Sequence, residues 1–279
     1  MRAFLEVLKG FLLGTVLCAL FIAALIVFLP TAGNEARDRL AIQLAQPDEV
    51  IVAQEAERLR MPLPRPLSMY STQYEAEDQG QTTYESDGRL VHILDFGTGG
   101  QPRPMVMLFH GQGRNGLSML DMWKATGERE GLLLVAPDGI GGGWTAMVED
   151  NQRIEALIED VAVEYPVDRE RIFLFGHSAG ARHVLEMANH FEGSWRAAAV
   201  HGGVLPLNRV RPAAEPTPLR IYIGTEDTIF PYEEVETVAD ALARAGHPTG
   251  LVTITGHNHW YYTIGPSISR RAWDYFAEQ

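Results

Sequence analysis

Short apolar runs alternate with longer amphipathic segments through most of the chain after Arg89. The runs have the length and composition of strands, and they cover residues 89–97, 105–109, 131–137, 171–175, 197–202, 219–224 and 251–256. Helical spacing of apolar residues falls between them, at 117–129, 151–165, 179–191, 232–246 and 267–278. This alternation predicts an α/β fold with a mostly parallel central sheet flanked by helices. Such sheets bind their ligands at the carboxyl ends of the strands, so we expect the functional residues at those ends.

Composition narrows the class of protein. The 279 residues are 46% hydrophobic and 21% charged, which is typical of a globular chain. The net charge of −13 argues against nucleic acid as a partner, because a phosphate backbone needs a basic face. Cys18 is the sole cysteine, which excludes an intrachain disulfide and a thiolate zinc site. We predict neither a metal nor a cofactor, and the oligomeric state stays open.

The N-terminus contains a run long enough to cross a membrane. Residues 11–30 carry no charge, while Arg2 and Lys9 precede them. We therefore predict a single-pass anchor in a bacterial inner membrane, with the N-terminus inside and the remaining chain in the periplasm. The small residues of segment 31–33 leave a cleaved signal, and hence a secreted protein, as the alternative.

Three regions follow from this organisation. Residues 1–33 are the predicted anchor or signal sequence. Residues 34–66 are predicted to be a spacer, since the segment ends in "MPLPRP", which resists helix formation. The folded domain is then expected at residues 67–279.

The stretch "FLFGHSAGAR" places Ser178 between two glycines, after a strand and before a helix. A G-x-S-x-G sequence in that context predicts a nucleophile on a sharp, strained turn. The alternative is a serine that only caps the helix. The choice between the two depends on whether the chain also supplies a base and an acid for the serine.

An activated serine needs a base, and the base needs an acid that orients it. Asp227 follows the strand at 219–224, with Glu226 as a competitor. His259 follows the last strand, and it competes with His257. The order Ser, Asp, His along the chain is the order expected when the nucleophile lies in a G-x-S-x-G turn. A metal at the His-x-His pair lacks a third ligand of convincing spacing.

Further residues are predicted to assist at the site. The backbone N–H groups of Gln112 and Ala179 are the expected donors to an oxyanion, one from the glycine-rich loop "FHGQGRN" and one from the residue after the nucleophile. Substrate contacts are expected from four side chains that neighbour these motifs: His110, His177, Trp144 and Trp260.

Taken together, these segments resemble the α/β-hydrolase fold over residues 89–278. Within that fold the chain is similar to the bacterial esterases grouped with polyhydroxybutyrate depolymerases and feruloyl esterases. The resemblance rests on "MLFHGQGRN", "LLLVAPDGIGGGW", "YPVDRERIFLFGHSAGARHVLEMA" and "GTEDTIFPYEEV". "NHWYY" is similar to the Asp-His-Ser-Tyr-Tyr of esterase D-type enzymes, which favours His259 as the base.

The resemblance implies a serine hydrolase that cleaves small-molecule carboxylic esters through an acyl-enzyme. Gln112 stands where the secreted depolymerases usually carry a cysteine, and His177 and Ala179 replace a common Leu and Asn. These departures leave the substrate open. The alternatives are an amidase of the prolyl-peptidase type and a catalytically inactive hydrolase that acts as an anchored binding protein.

Overall fold

The computed structural model describes residues 55–62, 74–144, 148–213 and 215–279. Nine strands occur within these ranges: β1 (Glu57–Met61), β2 (Thr82–Ser86), β3 (Arg89–Asp95), β4 (Arg103–Phe109), β5 (Leu133–Pro137), β6 (Val167–His177), β7 (Ala197–His201), β8 (Leu219–Gly224) and β9 (Thr249–Ile254). The α-helices of the same ranges are α1 (Gly116–Glu130), α2 (Val148–Glu164), α3 (Ala179–His190), α4 (Tyr232–Arg244) and α5 (Gly265–Phe276).

The strands form one sheet in the order β1-β9-β8-β7-β6-β4-β5-β3-β2. In this spatial order, the first seven strands, which end with β5, are all parallel to their neighbours. β3 runs antiparallel to both β5 and β2. The prediction of a mostly parallel sheet flanked by helices is therefore confirmed. Because β6 lies near the middle, its carboxyl end is reached by loops from both halves of the sheet.

Side chains of β6 alternate between two apolar layers. Ile172 and Leu174 pack with the helices α2, α3 and α4 on one face of the sheet. Phe173 and Phe175 pack with α1 and α5 on the other face. Burial of such a side chain stabilises the fold by roughly 1.5–3 kcal/mol. Because a shift of one residue would move each side chain to the opposite face, the covering of both faces fixes the register of the central strands.

The first helix shows how local sequence sets an element boundary. The Asn115 side chain accepts a hydrogen bond from the Ser118 N–H at 3.2 Å, which caps the amino end of α1. Gly131 ends the helix in the left-handed conformation, with φ of 70°. Asn115 also closes the glycine-rich loop after β4, so the cap fixes where that loop must stop.

The predicted spacer is corrected at its carboxyl end. β1 lies within the segment 34–66, and it pairs in parallel with β9 from Glu57 opposite Gly250 to Met61 opposite Ile254. The folded domain thus begins before Leu67. Short edge strands rich in charge do not produce the apolar run by which strands are predicted.

The rest of the N-terminal prediction lies outside the described residues. This applies to the anchor at 11–30, the cleavage segment 31–33 and the spacer at 34–54 and 63–66. Within the described part of residues 55–279, the helices are too short or too polar to cross a membrane.

Met61 tests whether β1 belongs to the folded unit. Its side chain is 2% exposed and packs in the layer that holds α1 and α5. We expect Met61→Ala to lower the free energy of unfolding by about 2–5 kcal/mol in urea titrations, since a buried Met leaves a cavity. Arg60→Ala, at the exposed neighbouring position, is the control. Equal stabilities for both variants would contradict the assignment.

Candidate active site

Ser178 occupies the turn between β6 and α3. Its φ of 56° and ψ of −116° are a backbone conformation that residues other than glycine rarely adopt. A Cβ on Gly176 would lie 2.3 Å from the Gly180 carbonyl oxygen, and one on Gly180 would lie 2.2 Å from the Phe109 carbonyl oxygen. Both glycines are therefore required by close backbone packing, as the G-x-S-x-G pattern predicts.

Three side chains from separate loops meet at this turn. His259 Nε2 lies 2.9 Å from Ser178 Oγ, and His259 Nδ1 lies 2.8 Å from Asp227 Oδ2. Since the carboxylate accepts, Nδ1–H is the donor and Nε2 is left to accept the serine proton. Ser178 follows β6, Asp227 follows β8 and His259 follows β9, so all three lie at carboxyl ends of parallel strands.

The Asp227 carboxylate is held by its own loop. Its Oδ1 accepts the backbone N–H groups of Ile229 and Phe230, each at 2.9 Å. Its side chain is fully buried, whereas Glu226 is exposed. The structure thus brings Asp227 to the histidine and leaves its competitor in solvent.

His257 faces away from the serine. Its Nε2 lies 3.0 Å from Nε2 of His201, and Nδ1 of His201 lies 3.0 Å from Nδ1 of His177. His177 Nδ1 also lies 3.3 Å from the His201 carbonyl, which can only accept, so this nitrogen carries the proton. The His-x-His pair therefore splits between two networks: His259 contacts Ser178, and His257 belongs to a buried chain of three histidines.

Burial keeps this histidine chain neutral. It lowers the pKa of His177 and of His201 well below the usual range, with further lowering by neighbouring histidines. It also lowers the pKa of His257 to about 4. These three histidines consequently place no positive charge beside His259 at neutral pH.

The glycine-rich loop after β4 covers the serine. A Cβ on Gly111 would lie 3.3 Å from Cβ of Ser178, so the peptide leading to Gln112 passes directly over the nucleophile. The loop is tied down by Gly113, with φ of 70°, whose N–H donates to the Gly142 carbonyl at 3.0 Å. Ala179 is the first residue of α3, so its N–H has no acceptor earlier in the helix.

An aromatic cluster around Arg114 anchors the far side of that loop. The guanidinium carbon lies 5.7, 5.3 and 5.1 Å from the ring centres of Tyr74, Trp260 and Tyr262. Its Nη1 donates to the Tyr74 carbonyl at 2.8 Å. Tyr74 and Tyr262 also stack on each other at 4.4 Å. Arg114 is thus held by cation–π contacts two residues after Gln112.

A cavity of about 420 Å³ opens beside the nucleophile. Ser178, Ala179 and Gln112 form one end of it. The remaining wall consists of Trp144, Arg182, His183, Glu186, Ile229 and Phe230. Among the four predicted substrate contacts, Trp144 lines this cavity, where its ring stacks on His183 at 5.1 Å.

The other three predicted substrate contacts lie elsewhere. His110 is fully buried and joins two loops, since its Nδ1–H donates to the Gly111 carbonyl and its Nε2 accepts the Gly139 N–H, both at 2.8 Å. His177 lies beneath the site, stacked on Tyr261 at 4.8 Å. Trp260 packs with Arg114 rather than along the cavity wall. Both histidines therefore support the site from below, because buried rings cannot touch a substrate.

Arg182 and Glu186 are residues of the cavity that the sequence analysis missed. They stand four and eight positions after Ser178 on α3, so the three lie along one helix face. That spacing is visible in the sequence, but only the structure shows that both residues contribute to the cavity wall.

The neutral histidine chain predicts a pH dependence of stability. An unfolded histidine titrates near 6.5 and binds more protons below that pH than the folded chain does. We therefore expect full stability above about pH 6.5, and a decline as the pH falls from 6.5 towards 4. The decline should reach at most about 1.4 kcal/mol per pH unit for each histidine. Urea unfolding of His257→Gln between pH 4.5 and 7.5 should give a shallower decline than the unmodified chain, and identical slopes would refute this account.

Comparisons with known proteins find similarity to hydrolases and esterases. Residues 142–272, just under half of the chain, match the Dienelactone hydrolase family. A bifunctional acetylxylan esterase/xylanase, XynS20E, from Neocallimastix patriciarum is 25% identical over 191 residues. That match covers 64% of this chain but only 28% of the relative.

Solved structures show a likeness over a larger share of the chain. Esterase 2 from Thermogutta terrifontis, phosphonylated by cyclosarin, superposes with a TM-score of 0.61 at 19% identity, covering 72% of this chain and 94% of that one. S-formylglutathione hydrolase (FrmB) from Staphylococcus aureus superposes with a TM-score of 0.59 at 14% identity, covering 70% and 97%. At such identities the likeness establishes architecture. The chain has the α/β-hydrolase fold, with Ser178, Asp227 and His259 at the strand ends where that fold carries its chemistry.

Proposed function

We propose that this protein is a serine hydrolase that cleaves carboxylic esters of small molecules. The observation that carries the proposal is the continuous contact from Asp227 through His259 to Ser178 on a strained turn. The similarity to the Dienelactone hydrolase family and to esterases supports the same reaction class. Ester hydrolysis is also the chemistry that the segments resembling bacterial esterases imply.

Acylation begins at the serine hydroxyl. Ser178 Oγ attacks the ester carbonyl carbon while His259 Nε2 takes its proton. The imidazolium formed in this way is stabilised by the Asp227 carboxylate, which also fixes the ring orientation. His259 then gives the proton to the departing alkoxide, so the alcohol leaves neutral and the acyl group stays on Ser178.

Deacylation repeats these steps with water. His259 Nε2 takes a proton from a water molecule as its oxygen attacks the acyl carbon. The same proton returns to Ser178 Oγ when the carbon–oxygen bond breaks. The products are the free acid and the regenerated serine, so no other reactant is needed.

The negative charge on the carbonyl oxygen needs donors in both steps. The N–H groups of Gln112 and Ala179 are proposed to supply them, because the first lies on the peptide that passes over Ser178 and the second begins α3. Glycines at positions 111 and 113 permit the close backbone approach that this arrangement requires.

We further propose that residues 11–30 anchor the protein in a bacterial inner membrane with the catalytic domain in the periplasm. The proposal rests on twenty residues without charge behind Arg2 and Lys9. A cleaved signal would place the same domain outside the membrane as a secreted enzyme.

A fluorophosphonate probe tests the proposed nucleophile. We expect the unmodified protein to be labelled and Ser178→Ala to remain unlabelled. With p-nitrophenyl esters, kcat/KM of Ser178→Ala and His259→Ala should fall by about 10⁴-fold or more. Ser194→Ala, at an exposed serine outside the cavity, is the matched control and should retain activity.

The outcomes separate the proposal from its alternatives. Labelling that persists in Ser178→Ala would refute the nucleophile assignment. Faster turnover of peptide anilides than of esters would indicate an amidase. If the unmodified protein is not labelled and hydrolyses neither substrate, the result would indicate a binding protein without catalysis.

The cluster around Arg114 predicts how the oxyanion loop is held. Arg114→Ala removes three cation–π contacts two residues after Gln112, so the Gln112 N–H should lose its fixed position. We expect kcat to fall roughly tenfold with little change in KM, since a displaced donor weakens transition-state binding. Arg114→Lys keeps the charge but not the planar stacking, and should recover activity only in part. An unchanged kcat in Arg114→Ala would contradict this role.

A further inference from the structure

Arg182 places a cation in the cavity beside Ser178. Its side chain is exposed, and it lines the cavity together with the serine. Arg182 follows Ser178 by four positions on α3, so the two residues lie along one helix face, roughly 6 Å apart along the axis. Because the side chain is accessible, a molecule bound in the cavity can contact the guanidinium.

The positive charge of Arg182 is not balanced by a neighbouring carboxylate. Glu186, one helical turn later, would be the usual partner for an arginine at this spacing. Its Oε2 lies instead 2.8 Å from Arg209 Nη2 and 2.9 Å from His190 Nδ1. Within the described residues, the Arg182 side chain forms neither a hydrogen bond nor an ion pair. The cavity therefore presents an uncompensated cation to whatever binds there.

The position of the cavity indicates which half of an ester it holds. In the proposed mechanism the departing alcohol lies against His259 Nε2, which gives it a proton. His259 is absent from the described residues that line the cavity, whereas Gln112 and Ala179, the proposed donors to the carbonyl oxygen, are among them. The cavity thus extends from the carbonyl on the side away from the leaving alcohol. It is placed to hold the acyl group.

Apolar side chains form much of the remaining wall, through Trp144, Ile229 and Phe230. The Trp144 ring is fixed by its Nε1–H, which donates to the His110 carbonyl at 2.8 Å. The cavity volume is about 420 Å³. Such a space, apolar along part of its wall and positive at Arg182, suits a short apolar chain that ends in an anionic group.

We propose that Arg182 is a specificity-determining residue, and that the preferred esters carry a free carboxylate at the end of the acyl chain, as half-esters of dicarboxylic acids do. The guanidinium binds this carboxylate through its N–H donors while Ser178 attacks the ester carbonyl. The inference rests on the proposed ester hydrolysis and names the class of substrate for the same site. Arg182 takes no part in the chemical steps.

Two series of esters test this. The first carries a variable tail on the acyl group of ethyl esters, and the second carries it on the alcohol of acetate esters. Each tail ends in carboxylate, carboxamide or methyl, at several chain lengths, so that carboxylate and carboxamide differ in charge but hardly in shape. Release of ethanol or of acetate is measured.

The acyl series should show a preference for negative charge. We expect kcat/KM for the carboxylate tail to exceed that for the carboxamide by about threefold to tenfold, mainly through KM. The effect is modest because Arg182 is exposed and water screens its charge. The alcohol series should show no such preference, since the alcohol lies outside the cavity.

Ionic strength separates charge recognition from shape. Between roughly 0.01 and 1 M salt, the Debye length falls from about 30 Å to about 3 Å. The preference for carboxylate over carboxamide in the acyl series should therefore decline over this range. A preference that does not change with salt would contradict an ionic contact with an exposed guanidinium.

Arg182→Gln tests the residue directly. It removes the charge but keeps a hydrogen-bond donor, so the preference for carboxylate should disappear. Arg182→Lys keeps the charge without the planar fork and should retain part of the preference. Arg270→Gln removes the same charge from an exposed position on α5 outside the cavity and should retain all of it. Thermal unfolding shows whether each variant is folded, and the ester series with the unmodified protein decides the matter even if one is not.

Each outcome bears on the proposal. Equal kcat/KM for carboxylate and carboxamide in the acyl series would overturn it, as would a preference for carboxylate confined to the alcohol series. A preference that survives unchanged in Arg182→Gln would also overturn it. Failure of the proposed function looks different, because the unmodified protein would then hydrolyse neither p-nitrophenyl acetate nor any ester of the two series.

Discussion

Backbone segments from three parts of the chain meet around Ser178, and the site depends on how closely they pack. The turn between β6 and α3 lies against the end of β4, where a Cβ on Gly180 would come within 2.2 Å of the Phe109 carbonyl oxygen. The strained conformation of Ser178 is unfavourable by roughly 1–3 kcal/mol, and it persists because the buried strands on both sides hold it. The serine hydroxyl is thereby exposed above the sheet at the edge where the other loops converge.

A second requirement is electrostatic. In the proposed mechanism His259 takes and releases a proton, and its ring lies beside His177, which belongs to a chain of three histidines that burial keeps neutral. A charged ring among them would oppose the imidazolium that forms at His259. Asp227, with both oxygens satisfied by His259 and by backbone N–H groups, is then the charge that sets the ring's orientation. In the proposed reaction the buried histidines contribute by remaining neutral and by their packing.

Much of the fold could be predicted from the sequence. The strands from β3 to β9 and the helices from α1 to α5 coincide with the predicted segments to within a few residues, because buried parallel strands read as continuous apolar runs. β1 and β2 were missed. Their sequences, "ERLRM" and "TTYES", are short and polar, and they pair at the two edges of the sheet. Edge strands are stabilised by their neighbours more than by their own side chains, so they leave little pattern in the sequence.

The sequence by itself determined which residue types meet at the site and in what order along the chain. A serine between two glycines, an acid after β8 and a histidine after β9 follow from local turn chemistry and from the rule that parallel strands end at one edge. Only the tertiary structure decided among near neighbours, bringing His259 to the serine and sending His257 to His201. It also placed His110 and His177 beneath the site. Side-chain direction, burial and cavity shape arise from contacts between segments far apart in the chain, and no local pattern encodes them.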